Sequence, residues 1–248
     1  MTHQGLPCWY ELNASDVARE TAFYSAILPW TWRDAEMPGM TYMIASTEGG
    51  MVAGLMLAEA GQPTGWTCYV AVDSADETAA LALSLGAHQI VPPSDIPGTG
   101  RFALLVDPQG ALFGLLQPLP GGTGGAFDPA KMGHGGWNEL VTTDSAAAMA
   151  FYGKLFGWTL SSSMEMGPDM TYHVFARAGV DIGGTFATPA GAPFWKPYFG
   201  VPSCAESVKA VEAAGGRVMH GPDAVPGGAI TLQITDPGGV FLALVSPA

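Results

Sequence analysis

The sequence predicts an α+β protein made of two copies of one unit, and three observations support this. First, the chain repeats itself in order: Trp-Tyr-Glu-Leu at 9–12 matches Trp-Asn-Glu-Leu at 137–140, and Asp-Pro-Gln-Gly at 107–110 matches Asp-Pro-Gly-Gly at 236–239. Second, strand and helix signals alternate within each copy. Third, a glycine- and proline-rich run at 119–130 separates the copies and has the composition of a flexible connector.

Within the first copy, residues 8–13 alternate like a strand. Asp16 is a suitable N-cap for a helix over 17–28, and Ser74-x-x-Glu77 forms a capping box for a second helix that stops at Gly86. The same signature returns at Ser203-x-x-Glu206 in the second copy. Further strands are predicted over 40–46, 51–57, 66–72, 89–92, 100–106 and 111–117. The chain therefore contains four modules, each with a strand, a helix and further strands.

The repeat divides the chain into an N-terminal domain over 1–118, the linker over 119–130 and a C-terminal domain over 131–248. Because duplication supplies all four modules, we expect them to pair within one chain, and the protein to be a monomer or a homodimer.

Composition excludes several classes of function. The net charge is −13, which repels nucleic acid and anionic lipid and leaves neutral or cationic small molecules as partners. No apolar run is long enough for a membrane helix, and the first residues lack the pattern of a signal peptide, so we expect a cytoplasmic protein. The three cysteines have no metal-binding or CxxC spacing, and we expect buried free thiols.

The sequence pattern resembles that of the vicinal oxygen chelate (glyoxalase, bleomycin resistance and dioxygenase) superfamily. The pattern is a strand, an Asp, a helix with Phe-Tyr near its end, then Leu-Pro-Trp or Leu-Phe-Gly-Trp, and finally Asp-Pro-x-Gly before the last strand. The pattern covers the whole chain twice. The long Trp-x-Glu-Leu form is similar to that of two-domain actinobacterial members. The resemblance implies four βαβββ modules, which form cupped mixed sheets with a ligand site inside each cup.

The resemblance also implies where a metal would be bound in this family, by His, Gln or Glu. The corresponding positions here are Trp9, Gly54, Thr67 and Gly114 in the first copy, and Trp137, Gly184, Lys196 and Ala243 in the second. None of these residues is a usual ligand for a divalent metal. We therefore expect no metal and no other cofactor.

The candidate catalytic groups begin with Glu11 and Glu139. Each lies two residues beyond a tryptophan, Trp9 or Trp137, so strand alternation places Glu and Trp on one sheet face. A carboxylate beside apolar rings can serve as a general acid or base. The other interpretation is a structural carboxylate that bonds backbone amides or a tyrosine hydroxyl.

Tyr42 and Tyr172 occupy matched strand positions, and His173 follows Tyr172 only in the second copy. We expect Glu139, Tyr172 and His173 to act as the main acid/base set, provided that a bulge turns His173 to the same face as Tyr172. Without one, His173 is a core residue.

Further substrate contacts are expected from aromatic side chains and one lysine. Trp9, Trp137, Tyr42, Trp66 and Trp195 are expected to line the cups as a platform for a flat ligand. Lys196 is expected either to pair with Glu139, to meet an anionic ligand, or to lie at the rim.

Three functions remain open from the sequence. The first is a metal-independent enzyme (a lyase, isomerase or cyclase) that acts on a small apolar or aromatic secondary metabolite by acid/base chemistry. The second is a protein that sequesters such a molecule, as in antibiotic resistance. The third is a metal-dependent enzyme of the glyoxalase or dioxygenase kind with relocated ligands at Glu11, Glu139 and His173.

Overall fold

The computed structural model of the chain describes residues 3–59, 61–120, 122, 125–167, 170–189 and 191–248. Three positions of the expected linker, 121, 123 and 124, lie outside these ranges.

The N-terminal copy contains eight strands and two helices in the predicted order. Its strands are β1 (Pro7–Ala14), β2 (Thr31–Asp34), β3 (Tyr42–Thr47), β4 (Gly50–Leu57), β5 (Gly65–Ala71), β6 (His88–Ile96), β7 (Gly100–Val106) and β8 (Leu112–Pro118). Its helices are α1 (Val17–Ile27) and α2 (Ala75–Ser84). Strand β2 is a short addition that the alternation pattern did not predict.

The C-terminal copy repeats this arrangement. Its strands are β9 (Gly135–Thr142), β10 (Thr159–Gly167), β11 (Met170–Arg177), β12 (Val180–Ala187), β13 (Phe194–Gly200), β14 (Arg217–Ala224), β15 (Ile230–Thr235) and β16 (Phe241–Ser246). Its helices are α3 (Ser145–Phe156) and α4 (Cys204–Ala213).

Each copy forms one curled, eight-stranded mixed sheet. The strand order is β2-β3-β4-β1-β5-β8-β7-β6 in the first sheet and β10-β11-β12-β9-β13-β16-β15-β14 in the second. Strand β1 runs parallel to β4, with Glu11 opposite Gly54, and β9 runs parallel to β12, with Glu139 opposite Gly184. The identical order confirms the predicted α+β fold with four repeated modules.

The helices begin where the sequence predicts, because short polar side chains satisfy the first backbone amides. Asp16 accepts a hydrogen bond from the Arg19 amide, and Ser74 accepts one from the Glu77 amide. Helix α3 ends at Gly157, whose φ of 73° is a left-handed conformation that glycine adopts without strain.

The described residues cluster into two compact units that combine modules from both copies. Unit 1 contains residues 1–8, 68–124 and 138–195, and unit 2 contains residues 9–67, 125–137 and 196–248. Each sheet therefore corresponds to one repeat, whereas each compact unit contains parts of both repeats.

In unit 2, the tyrosine of the first Phe-Tyr motif anchors the core. Tyr24 is fully buried, stacks on Trp30 at 5.6 Å between ring centroids, and donates a hydrogen bond of 2.9 Å to Asp236. Burial, followed by the negative charge of Asp236, raises the pKa of Tyr24, so its hydroxyl remains protonated. Asp236 belongs to the second Asp-Pro-x-Gly turn, and this hydrogen bond joins the two family motifs.

In unit 1, the other pair of motifs makes the same contact. The fully buried Tyr152 donates a hydrogen bond of 2.9 Å to Asp107 Oδ2. Asp107 Oδ1 accepts three backbone hydrogen bonds, from Gln109, Gly110 and Ala111, at 2.8 to 2.9 Å. The aspartate therefore closes its own turn and holds the helix through Tyr152.

Cys8, Cys68 and Cys204 are free and buried, as predicted. Within the described ranges, no helix has the length and apolarity needed to cross a membrane.

Candidate functional site

One face of the first sheet carries a polar and aromatic stripe on β1. Alternation places Trp9, Glu11 and Asn13 on this face, and all three are half-buried. Tyr10 and Leu12 point to the opposite face and are fully buried. We call the face with Trp9 and Glu11 the N-terminal cup face.

A chain of hydrogen bonds connects the functional groups on the N-terminal cup face. Trp9 Nε1 donates to the Tyr42 hydroxyl at 3.2 Å, and this hydroxyl donates to Glu11 Oε2 at 2.8 Å. Burial, followed by the negative charge of Glu11, raises the pKa of Tyr42. Tyr42 therefore stays neutral and orients an acceptor carboxylate.

Gly54 makes this arrangement possible. A Cβ atom at this position would lie 2.1 Å from the Tyr42 hydroxyl oxygen, far inside contact distance. The Tyr42 ring thus occupies the space into which a side chain at 54 would extend. Because Gly54 is opposite Glu11 in the parallel register, it also sets the approach of Tyr42 to the carboxylate.

We expect Gly54→Ala to destabilise the fold by ~1–3 kcal/mol, because the added methyl group overpacks this position and displaces Tyr42. The measurement is urea denaturation of both proteins. Gly65→Ala is the matched control on β5 of the same sheet, since a Cβ there meets no atom within 4 Å. Equal stability of the two variants would contradict the role assigned to Gly54.

The C-terminal copy preserves part of this geometry. A Cβ at Gly184 would lie 2.4 Å from the Tyr172 ring, and Gly184 is opposite Glu139. Glu139 is only 5% exposed, whereas Glu11 is half-buried. Trp137 is half-buried on the same face of β9 as Glu139. In both copies the tyrosine ring thus lies over the glycine that is opposite the glutamate, and the glutamate of the N-terminal copy is the more accessible.

The structure does not bring His173 to the face that carries Glu139. His173 is opposite Thr185 and Thr185 is opposite Leu140, so these residues share one face, while Gly184 and Glu139 share the other. The bulge that this acid/base set requires is absent at this point, since the register of β11 is regular from His173 to Phe175. The His173 ring contacts the exposed Ser163 hydroxyl at 2.8 Å. Consequently, the acid/base set of Glu139, Tyr172 and His173 does not form on one face.

Lys196 is buried, with 4% of its surface exposed, and does not lie at the rim. Its ammonium group donates to Gln233 Oε1 and lies 5.5 Å from the centre of the Tyr198 ring. Gln233 in turn donates to the Tyr198 hydroxyl at 3.4 Å. This buried polar cluster is specific to the second copy, because the matched positions in the first copy are Thr67 and Leu104.

Trp66 and Trp195 are core residues rather than cup residues. Trp66 is 6% exposed and packs against Tyr24 at 5.5 Å. Trp195 donates a hydrogen bond of 3.0 Å to the Tyr152 hydroxyl. Since Tyr24 and Tyr152 lie on helices, both tryptophans point toward the helix side of their sheets. Of the five aromatic residues expected in the cups, these two are therefore displaced to the core by strand alternation.

The residues at the inherited metal positions do not fit a metal ion. In unit 1, the Tyr69 ring fills the space beside Gly114, where a Cβ would lie 2.2 Å from a ring carbon. Tyr42 and Tyr172 do the same at Gly54 and Gly184. Throughout the described ranges, no group of three or more His, Cys, Asp and Glu side chains is arranged to hold a metal ion. Glu139 and His173 lie on opposite faces, so relocated ligands do not converge either.

Asn13, Gln233 and the anchoring role of Asp107 were not predicted from the sequence. Comparison of the two copies offered a signal for the first two, because Asn13 is matched by Val141 and Gln233 by Leu104. A polar residue that corresponds to an apolar residue in the other copy marks a position where the two copies have diverged.

Comparisons with known proteins agree with this architecture. The family model described as Glyoxalase-like domain matches residues 9–116, and the model described as Glyoxalase/Bleomycin resistance protein/Dioxygenase superfamily matches residues 132–244. The chain is 32% identical to CFP32 of Mycobacterium tuberculosis, over 99% of this chain and 96% of that protein. It is 30% identical to the anthracycline biosynthesis protein DnrV of Streptomyces peucetius, over 97% of this chain and 93% of that protein.

Among solved structures, the Mn(II)-bound glyoxalase from Novosphingobium aromaticivorans has the same fold, with a TM-score of 0.69 and 18% identity, covering 99% of this chain and 82% of that one. Both repeats match family models, and the relatives match along nearly the whole chain. The chain therefore belongs to the glyoxalase/bleomycin resistance protein/dioxygenase superfamily.

Proposed function

We propose that this protein binds a small, largely aromatic metabolite on the N-terminal cup face and catalyses proton transfer on it without a metal ion. The observation that carries the proposal is the hydrogen bond from Tyr42 to Glu11, formed over Gly54. It holds a carboxylate in a fixed orientation on a half-buried face beside the Trp9 ring.

Glu11 is the proposed base. Its carboxylate takes up a proton from an acidic C–H or O–H group of the ligand, and the negative charge moves into the conjugated system of the ligand. Return of the proton to another atom completes an isomerisation. Alternatively, the anion attacks a carbonyl carbon of the same ligand to close a ring, and the oxygen of that carbonyl takes the proton back from Glu11. Tyr42 is a positioning residue, because its hydroxyl donates to the carboxylate and its raised pKa keeps it protonated.

The nature of the ligand is proposed from three properties. Trp9 offers a flat apolar surface for an aromatic ring. The net charge of −13 favours a neutral or cationic molecule. Relatives that cover almost the whole chain are named as anthracycline biosynthesis proteins in two Streptomyces strains, and anthracyclines are planar, polycyclic aromatic compounds. Together these support a polycyclic aromatic secondary metabolite.

Glu139 and Tyr172 are proposed as the counterpart pair in the C-terminal copy, in a less accessible position. Trp137 is the proposed ring contact there. Within unit 2, Lys196, held by Gln233, is proposed separately to meet an oxygen atom of a bound molecule.

Sequestration is the second candidate function. The observation that supports it is the exposed portion of the Trp9 ring, because this ring binds an aromatic ligand whether or not a reaction follows. The two functions differ in one respect: a binding protein retains its full function when the Glu11 carboxylate is replaced by an amide.

We expect the purified protein to contain no stoichiometric transition metal, because the inherited positions carry no usual ligand and tyrosine rings occupy the adjacent space. Elemental analysis of protein prepared without chelator measures this. One tightly held metal ion per chain would contradict the proposal and favour a metal-dependent enzyme.

A further inference from the structure

Asn13 continues the stripe of Trp9 and Glu11 along β1. It is half-buried, and its partner in the parallel register is Met56 on β4. Met56 is in turn opposite Tyr42 on β3. Asn13 therefore lies in the same row of the N-terminal cup face as the tyrosine that orients Glu11.

A backbone contact fixes the orientation of the Asn13 amide. Its Nδ2 donates a hydrogen bond of 2.7 Å to the carbonyl oxygen of Pro63. This contact assigns the nitrogen to the side of Pro63, so the carbonyl oxygen Oδ1 points the other way. Asn13 Oδ1 is buried and accepts no hydrogen bond from the protein within the described residues.

A buried carbonyl oxygen without a donor is unfavourable, and most such groups in folded proteins have a partner. A donor from a bound molecule satisfies it. The C-terminal copy has no equivalent acceptor, because Val141 occupies the matched position and is buried. The acceptor therefore distinguishes the N-terminal cup face.

We infer that Asn13 is a specificity residue whose Oδ1 accepts a hydrogen bond from a hydroxyl group of the aromatic ligand. This rests on the proposed function and adds the chemistry of the ligand to it. Alternate residues of a strand are roughly 7 Å apart, so the hydroxyl lies about that distance from the proton that Glu11 removes. The preferred ligand is thus a hydroxylated aromatic molecule, with its hydroxyl protonated.

The inference is tested with two probes that differ only in their donors: anthraflavic acid, which is a dihydroxyanthraquinone, and its dimethyl ether. Affinities are measured by quenching of tryptophan fluorescence at mildly acidic pH, where the phenol groups are protonated. We expect the parent protein to prefer the phenol roughly three- to tenfold, the effect of one hydrogen bond.

Two variants separate the acceptor from the loop contact. Asn13→Leu removes both polar atoms and is expected to abolish the preference while the ether still binds. Asn13→Asp keeps an acceptor oxygen but loses the amide that donates to Pro63, and it is expected to retain the preference.

The outcomes distinguish the two proposals. If Asn13→Leu still prefers the phenol over the ether, the inference is overturned. If Asn13→Asp loses this preference as fully as Asn13→Leu does, the inference is also overturned, and Asn13 has only a structural role through its contact with Pro63. Equal binding of both probes by the parent protein would also overturn it, with aromatic binding intact. Binding of neither probe would contradict the proposed function, and the inference with it.

Discussion

Glu11→Gln is expected to abolish proton transfer while ligand affinity stays within a few-fold of the parent value. The amide is nearly isosteric with the carboxylate and still accepts a hydrogen bond from Tyr42, but it cannot take up the proton. Removal of a general base typically lowers the rate by ~100-fold to 10,000-fold. Anthrone is a suitable probe, because its methylene protons are acidic, and deuterium uptake at that carbon in D2O reports the rate of proton removal.

Glu139→Gln is the matched control, since it makes the same change at the equivalent position of the other copy. Because Glu139 is only 5% exposed and His173 lies on the other sheet face, we expect at most a small loss of exchange. An inactive Glu139→Gln beside an active Glu11→Gln would move the base to the C-terminal copy. If the parent protein does not accelerate the exchange and both variants bind the ligand like the parent, the result favours sequestration.

The largest effect on stability is expected from Asp107→Ala. The carboxylate accepts three backbone hydrogen bonds within its turn and one from Tyr152, and it is 1% exposed. Its removal leaves several buried donors without an acceptor, so we expect a loss of at least ~3 kcal/mol in the free energy of unfolding, measured by urea denaturation.

Two variants serve as controls for Asp107→Ala. Asp107→Asn keeps one acceptor oxygen for the turn, so its loss in the free energy of unfolding is expected to be clearly smaller than that of Asp107→Ala. Asp16→Ala removes an exposed N-cap and is expected to cost ~1 kcal/mol. A loss at Asp107 no larger than that at Asp16 would contradict the role of the Asp107–Tyr152 contact in holding the motifs together.

The fold was predictable because duplication gives each signal twice. The matched Trp-x-Glu-Leu, Met-Thr-Tyr and Asp-Pro-x-Gly segments ordered the elements, and alternation on β1 placed Trp9 and Glu11 on one face. The grouping of modules into compact units was not predictable. It depends on the long-range contacts of Tyr24 with Asp236 and of Tyr152 with Asp107, and a single sequence does not specify which partners meet.

The candidate site was predictable only in part. Alternation is reliable within a strand, so it gave the faces of Glu11 and Glu139. Whether His173 shares a face with Glu139 depends on a bulge, which a sequence does not reveal, and the register is regular there. Trp66 and Trp195 were expected in the cups, yet their rings are needed to cover the helix tyrosines. The unpartnered oxygen of Asn13 is visible only once the Pro63 carbonyl is placed.

The most direct test of the central claim is a binding titration with anthraflavic acid after dialysis of the protein against a chelator. We expect binding to persist, to be unchanged by added Zn²⁺ or Mn²⁺, and to weaken clearly in Trp9→Ala but not in Trp32→Ala, which alters a half-buried ring on the edge strand β2. Binding that requires added metal, or equal losses in the two tryptophan variants, would contradict metal-free recognition on the N-terminal cup face.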